Sequence, residues 1–153
     1  MKIIKIFLAS SEEMREEERK MAPVWVNTLN LELSKFGYFI VLVKWEYLDA
    51  SMGAAHKEED YLKELRECEL CFVPYKNFFG QYTTQELNLA YKEHQAGHNP
   101  KGFYVCFRNS DGISKELKDF RDSFEEAYGK RYISYDNLDD LKDCFINLIS
   151  QAC

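Results

Sequence analysis

A chain of 153 residues, 46% hydrophobic and 30% charged, is long enough for one domain with a sizeable core and too short for two ordinary ones. That composition excludes a disordered chain, and no apolar run reaches membrane-span length. A net charge of −6 without a Lys/Arg stripe argues against nucleic acid as the main partner.

The opening MKIIKIFLASS is too short for a signal peptide and runs straight into acids, so it reads as a first strand, Ile3 to Leu8. Its unbroken apolar character marks a strand covered on both faces. Ser10 and Glu13 fit a capping box, and Glu12, Glu16, Glu17 and Glu18 suit the start of a helix. Met14, Met21, Trp25, Leu29, Leu33 and Phe36 keep helical spacing, with a kink or a new start at Pro23 and a stop at Gly37. Tyr38 to Trp45 is a second strand. An irregular loop, Glu46 to His56, leads to a short helix, Glu58 to Cys68, with Tyr61, Leu62 and Leu65 inward.

Leu70 to Val73 reads as a buried third strand that breaks at Pro74. An aromatic, glycine-containing loop follows, and a helix is expected from Thr83 to near Gly97. Gly102 to Arg108 is a fourth strand. Ser114 to Tyr128 is an amphipathic helix closed by Gly129, and Arg131 to Tyr135 is a short fifth strand. Asn137 caps a last helix with Leu138, Leu141, Phe145, Leu148 and Ile149 as its stripe. Five βα units predict an α/β, flavodoxin-like three-layer sandwich: one five-stranded parallel sheet, order 2-1-3-4-5, with helices on both faces. Ligands of such sheets bind beyond the carboxyl ends of the strands, which brings the Ser10 and Phe78 to Glu86 regions together.

The five cysteines are odd in number and scattered, so a reducing, cytoplasmic compartment is expected. Cys68 and Cys71 have redox-motif spacing, but the second lies within a strand, where no thiolate is favoured. There is no glycine-rich dinucleotide fingerprint, no P-loop and no Ser-His-acid set. His94 and His98 lack a third ligand, so no metal site is assigned. Glu86 remains. Thr83-Thr84-Gln85-Glu86 reads first as a capping box, with Thr83 as N-cap and Glu86 at the third helical position, and this can coexist with a carboxylate at a ligand site. Phe78, Phe79 and Tyr82 offer rings that stack on a ligand or pack beneath the loop.

Four stretches together resemble a group of prokaryotic Toll/interleukin-1 receptor (TIR) domains. They are Lys5-Ile6-Phe7-Leu8-Ala9-Ser10-Ser11, Lys44-Trp45-Glu46, Arg66-Glu67-Cys68-Glu69, and Gly80-Gln81-Tyr82-Thr83 with Glu86-Leu87 and Ala90. The resemblance covers nearly all of residues 1–153 as a single TIR-like domain. In that family such domains also stand at the N-terminus of larger defence proteins. The resemblance implies cleavage of NAD+ at the nicotinamide–ribose bond, with NAD+ as substrate rather than cofactor. It further implies linear or cyclic ADP-ribose products, a role in bacterial immune signalling, and self-association through TIR–TIR contacts. Glu86 matches the family's catalytic glutamate. Ser10 and Ser11 are candidates for ribose or phosphate, unless they serve only as helix caps. Trp45, Phe79 and Tyr82 are candidate stacking surfaces, and Lys44 and Glu46 line the same edge. The loop Asp49-Ala50-Ser51-Met52-Gly53 departs from the family's pattern by lacking a proline.

One carboxylate suffices for this chemistry. The pyridinium leaves as neutral nicotinamide and needs no general acid, unlike an ordinary glycoside. A fixed anion stabilises the oxocarbenium-like ribose or holds its hydroxyls. Two other readings stay open: a nucleoside deoxyribosyltransferase-like enzyme, and a non-catalytic self-association module.

Overall fold

The computed structural model describes residues 1–44 and 57–153. Five strands form one parallel sheet in the order β2-β1-β3-β4-β5. They are β1 (Lys2–Leu8), β2 (Tyr38–Lys44), β3 (Leu70–Tyr75), β4 (Gly102–Arg108) and β5 (Ile133–Tyr135). The helices are α1 (Glu18–Leu33), α2 (Lys57–Glu67), α3 (Gln81–Gln95), α4 (Lys115–Tyr128) and α5 (Leu138–Ser150). The α/β flavodoxin-like architecture read from the alternation of elements is the one observed. Among the described residues, no helix is long and apolar enough to cross a membrane.

Strand alternation sorts the core into two layers. Ile4, Ile6 and Leu8 of β1, with Phe72 of β3, face α1 and α5, where Trp25 and Phe145 meet them. Phe145 packs edge-on against Phe72 at 5.2 Å and lies 5.7 Å from Trp25. Phe7, Cys71, Val73 and Tyr75 face the opposite layer with Leu65 of α2, Leu87 and Ala90 of α3, and Phe124 of α4. There Phe107 of β4 stacks on Tyr75 at 5.2 Å and meets Phe124 edge-on at 5.8 Å. Every residue of β3 is buried, as its uninterrupted apolar run requires for a central strand.

Four local readings need correction. First, Pro74 does not end β3: the strand runs on to Tyr75 and pairs Pro74 with Cys106. The Phe72 carbonyl accepts from Ala9 N–H, so the backbone of Pro74, two residues on, points to the same side. The β1–β3 register ends at Leu8 and Phe72, so the missing N–H of Pro74 has no ladder partner to lose. Second, α1 does not start at Ser10. A short 3-10 turn, Glu12–Met14, precedes it, and α1 opens at Glu18 and passes through Pro23 unbroken. Burial of Ala22, Trp25 and Val26 holds it there against the loss of one N–H. Third, α3 opens at Gln81 with Gly80 as its N-cap, not at Thr83. Fourth, β5 is limited to Ile133–Tyr135, since its pairing with β4 begins at Cys106 and Ile133.

Asn137 caps its helix as expected, and Ser114, the first residue of the expected helix, turns out to be its cap. Ser114 accepts from Leu117 N–H at 3.2 Å, and Asn137 accepts from Asp140 N–H at 2.9 Å. Gly37 and Gly129 take the left-handed conformation, with φ of 84° and 62°, where the helical segments end. Asn30 of α1 reaches the edge strand, donating to the Ile40 carbonyl at 3.0 Å and accepting from its N–H at 2.7 Å.

Candidate active site

The crossover after β1 runs through α1 on one face of the sheet, and the crossover after β3 runs through α3 on the other. The chain therefore parts at the carboxyl ends of these adjacent strands and opens a crevice there. The Ala9 N–H to Phe72 carbonyl bond, 3.0 Å, is the last backbone link between the two strands.

Past that link, charged side chains from the turn after β1 and from the first turn of α1 bracket the mouth. Arg19 donates from Nε to Ser10 Oγ at 3.0 Å, and from Nη2 to the carbonyls of Ser10 and Ser11 at 2.8 Å each. Glu13 accepts from Asn77 N–H at 3.0 and 3.1 Å and from Phe78 N–H at 2.8 Å. Glu18, itself buried, pairs with Lys76 Nζ at 2.9 Å. Ser10 and Glu13 thus form no capping box with each other: Ser10 is held by Arg19 within its own turn, and Glu13 ties that turn to the loop before α3.

The start of α3 comes close against β1. A Cβ on Gly80 would lie 3.0 Å from Thr83 Oγ1 and 3.1 Å from Ser11 Cβ, so glycine is what lets the helix start approach Ser11. The Ser11 hydroxyl oxygen is buried and, among the described residues, has no hydrogen-bond partner. Glu86 lies in the second turn of α3 and is 8% exposed. With Gly80 as N-cap, Glu86 is three positions too deep for the expected capping box, so capping does not explain it. Its carboxylate faces β3: burial pushes the Cys71 thiol and the Tyr75 phenol well up, and the Glu86 charge adds to both shifts. Tyr75 OH shares a 2.7 Å hydrogen bond with Thr84 Oγ1, fixing α3 to the strand beneath.

The aromatic candidates separate. Phe79 turns under the loop and packs edge-on against Phe120 at 5.2 Å. Tyr82 is 66% exposed, and Phe78, which spacing did not distinguish from Phe79, is 62% exposed beside it. Lys44 ends β2 opposite Leu8. Trp45 and Glu46 lie outside the described residues, as does the loop that follows them to His56.

Three further groups bear on the chemistry. Burial pushes the Cys68 thiol up to about 12 and holds the Cys71 thiol well above its ordinary value, so neither is a thiolate. His94 Nδ1 meets the Pro100 carbonyl at 2.9 Å and His98 Nδ1 meets Glu93 at 2.8 Å, each bound to a different neighbour. Among the described residues, no three His, Cys, Asp or Glu side chains gather as a metal set.

No protein-family model matches this sequence, and no curated protein matches it. Among solved structures the chain is similar to the CMP N-glycosidase BcmB of Clostridium botulinum. The two share 18% identity over 94% of this chain and 99% of that one, with a TM-score of 0.50. At that identity the likeness is one of fold.

Proposed function

We propose that this protein cleaves an N-glycosidic bond of a nucleotide, and that the bond is the nicotinamide–ribose bond of NAD+. The observations that carry the reading are the buried Glu86 carboxylate in the second turn of α3 and, where the start of that helix meets the turn after β1, a buried Ser11 hydroxyl without a partner among the described residues. Glu86 stabilises positive charge as it develops on the ribose, or holds the ribose hydroxyls in place. Ser11 and Ser10 meet the ribose or its phosphate, and exposed Tyr82 and Phe78 flank the departing ring. Nicotinamide leaves neutral, so no proton donor is required. The family resemblance of the sequence supports NAD+ and assembly through TIR–TIR contacts. The fold shared with a CMP N-glycosidase supports N-glycosidic chemistry in general.

That neighbour also favours a second reading, hydrolysis of a nucleoside 5′-monophosphate. Cytosine is a poor leaving group as an anion, so this reading adds a demand for a proton donor to the base. The test is concentrated protein incubated separately with NAD+, nicotinamide mononucleotide and CMP, with products separated by chromatography. Nicotinamide with ADP-ribose, linear or cyclic, is the expected outcome. Cytosine released from CMP with NAD+ intact selects the second reading. No cleavage of any substrate, even by clustered protein, selects the self-association module.

A further inference from the structure

A second cleft opens on the same edge of the sheet, one strand beyond the mouth. Its volume is about 530 Å3, and Asn109, Ser110, Asp111, Ile113, Lys118 and Arg121 line it. Parallel pairing of β3 with β4, Leu70 to Gly102 through Tyr75 to Phe107, puts the loop after β4 next to the loop after β3 on the same edge of the sheet. The loops beneath them are joined: Ser114 N–H donates to the Asn77 carbonyl at 2.7 Å. Asn77 is also the residue whose N–H Glu13 holds, so the cleft and the candidate catalytic loop share one rigid wall.

The lining is built for an anion. Lys118 and Arg121 stand three apart on α4 and share its cleft-facing side. No described side chain holds the Lys118 ammonium. Arg121 contacts Asp122 through Nε and Nη2 at 3.3 and 3.4 Å, which leaves other N–H groups of its guanidinium fork. Ser110 Oγ accepts from Gly112 N–H at 3.1 Å and keeps its own hydroxyl proton to donate. One carboxylate, Asp111, lines the cleft against two cations, so the wall is net positive in a chain of net charge −6.

We propose that this cleft is the diphosphate subsite of a dinucleotide substrate. It rests on the proposed cleavage at Glu86 and adds where that substrate's diphosphate is held: with the reacting ribose at the mouth, the diphosphate arm crosses to Lys118 and Arg121. A mononucleotide brings one phosphate to it where a dinucleotide brings two. The subsite therefore selects for a dinucleotide over its nicotinamide mononucleotide half.

The test has two arms, with wild type beside Lys118→Gln/Arg121→Gln and Lys118→Glu/Arg121→Glu. The first arm is calorimetric titration with ADP, which carries the diphosphate but no scissile nicotinamide bond. Binding to wild type that weakens roughly tenfold in the neutral pair, and further in the reversed pair, is expected for lost charge-assisted hydrogen bonds. The second arm is the ratio of kcat/KM for NAD+ to that for nicotinamide mononucleotide, which is expected to fall by a similar factor in the neutral pair. ADP affinity that is unchanged in both variants, or absent in wild type, overturns the subsite. Cation-dependent ADP binding without cleavage of either substrate supports the subsite and removes the proposed reaction instead.

Discussion

Glu13 offers a sharp stability test of the site, because its carboxylate is the direct tie between the turn after β1 and the backbone of the loop before α3. Glu13→Ala leaves the N–H groups of Asn77 and Phe78 without their acceptor. Hydrogen bonds to a charged group contribute about 1.5–3 kcal/mol each. Phe78 is exposed, so water replaces its bond cheaply, while Asn77 is half-buried and bears most of the loss. The net cost is therefore expected near that of one such bond, about 1.5–3 kcal/mol rather than twice that. At about 2–4 °C per kcal/mol for a chain of this size, the melting temperature falls by about 3–12 °C. Glu13→Gln keeps one acceptor oxygen and falls between. Thermal melts give the magnitude, and amide hydrogen exchange gives the location: Asn77 and Phe78 should lose protection ahead of the sheet. A Glu13→Ala melt within 1 °C of wild type, with those amides still protected, refutes the bracket.

Other consequences are independent of that loop. Gly80→Ala forces a Cβ against Thr83 and Ser11 and should cost about 1–3 kcal/mol, with part of the loss recovered by Ser11→Gly in a double-mutant cycle. Phe72→Ala removes the ring facing Phe145 and should destabilise by about 3–5 kcal/mol in denaturant melts. The hydrogen bond from Arg66, with desolvation opposing it and His98 assisting, holds the Glu93 carboxyl below its ordinary value of 4.5. A carboxylate lowered in the folded state adds stability above its unfolded pKa and loses it as pH falls through the folded value, so Glu93→Gln should flatten the acid limb of stability against pH. Cys153 is exposed and the other four thiols are buried, so a thiol reagent should titrate one cysteine quickly in native protein and five after denaturation.

The architecture was legible because its signals are local. Apolar runs marked β1 and β3, Ser114 and Asn137 marked helix starts, and Gly37 and Gly129 marked stops. What the sequence concealed depends on tertiary contacts. Pro74 fits inside β3 only because β1 ends two residues earlier, which no local pattern encodes. Thr83 looked like a cap because its side chain suits one, yet the helix starts where Gly80 can approach Ser11. Glu13 read as half of a capping box and Glu18 as part of an acidic helix start, while their partners lie more than fifty residues away; Arg19, which no spacing singled out, holds the preceding turn. Phe78 and Phe79 are neighbours of the same chemistry, and only Phe120 decides which one turns inward. Glu86 was readable as a carboxylate in the helix after β3; its depth in α3, which sets capping aside, was not.

The most direct test of the central claim is the rate of nicotinamide release from NAD+ by wild type and Glu86→Gln, at equal protein concentration and with matched melts. Glutamine keeps the shape and removes the charge, so the account predicts a fall in kcat of about 10²-fold or more, the scale of a lost electrostatic stabiliser. Wild-type turnover in Glu86→Gln would contradict it.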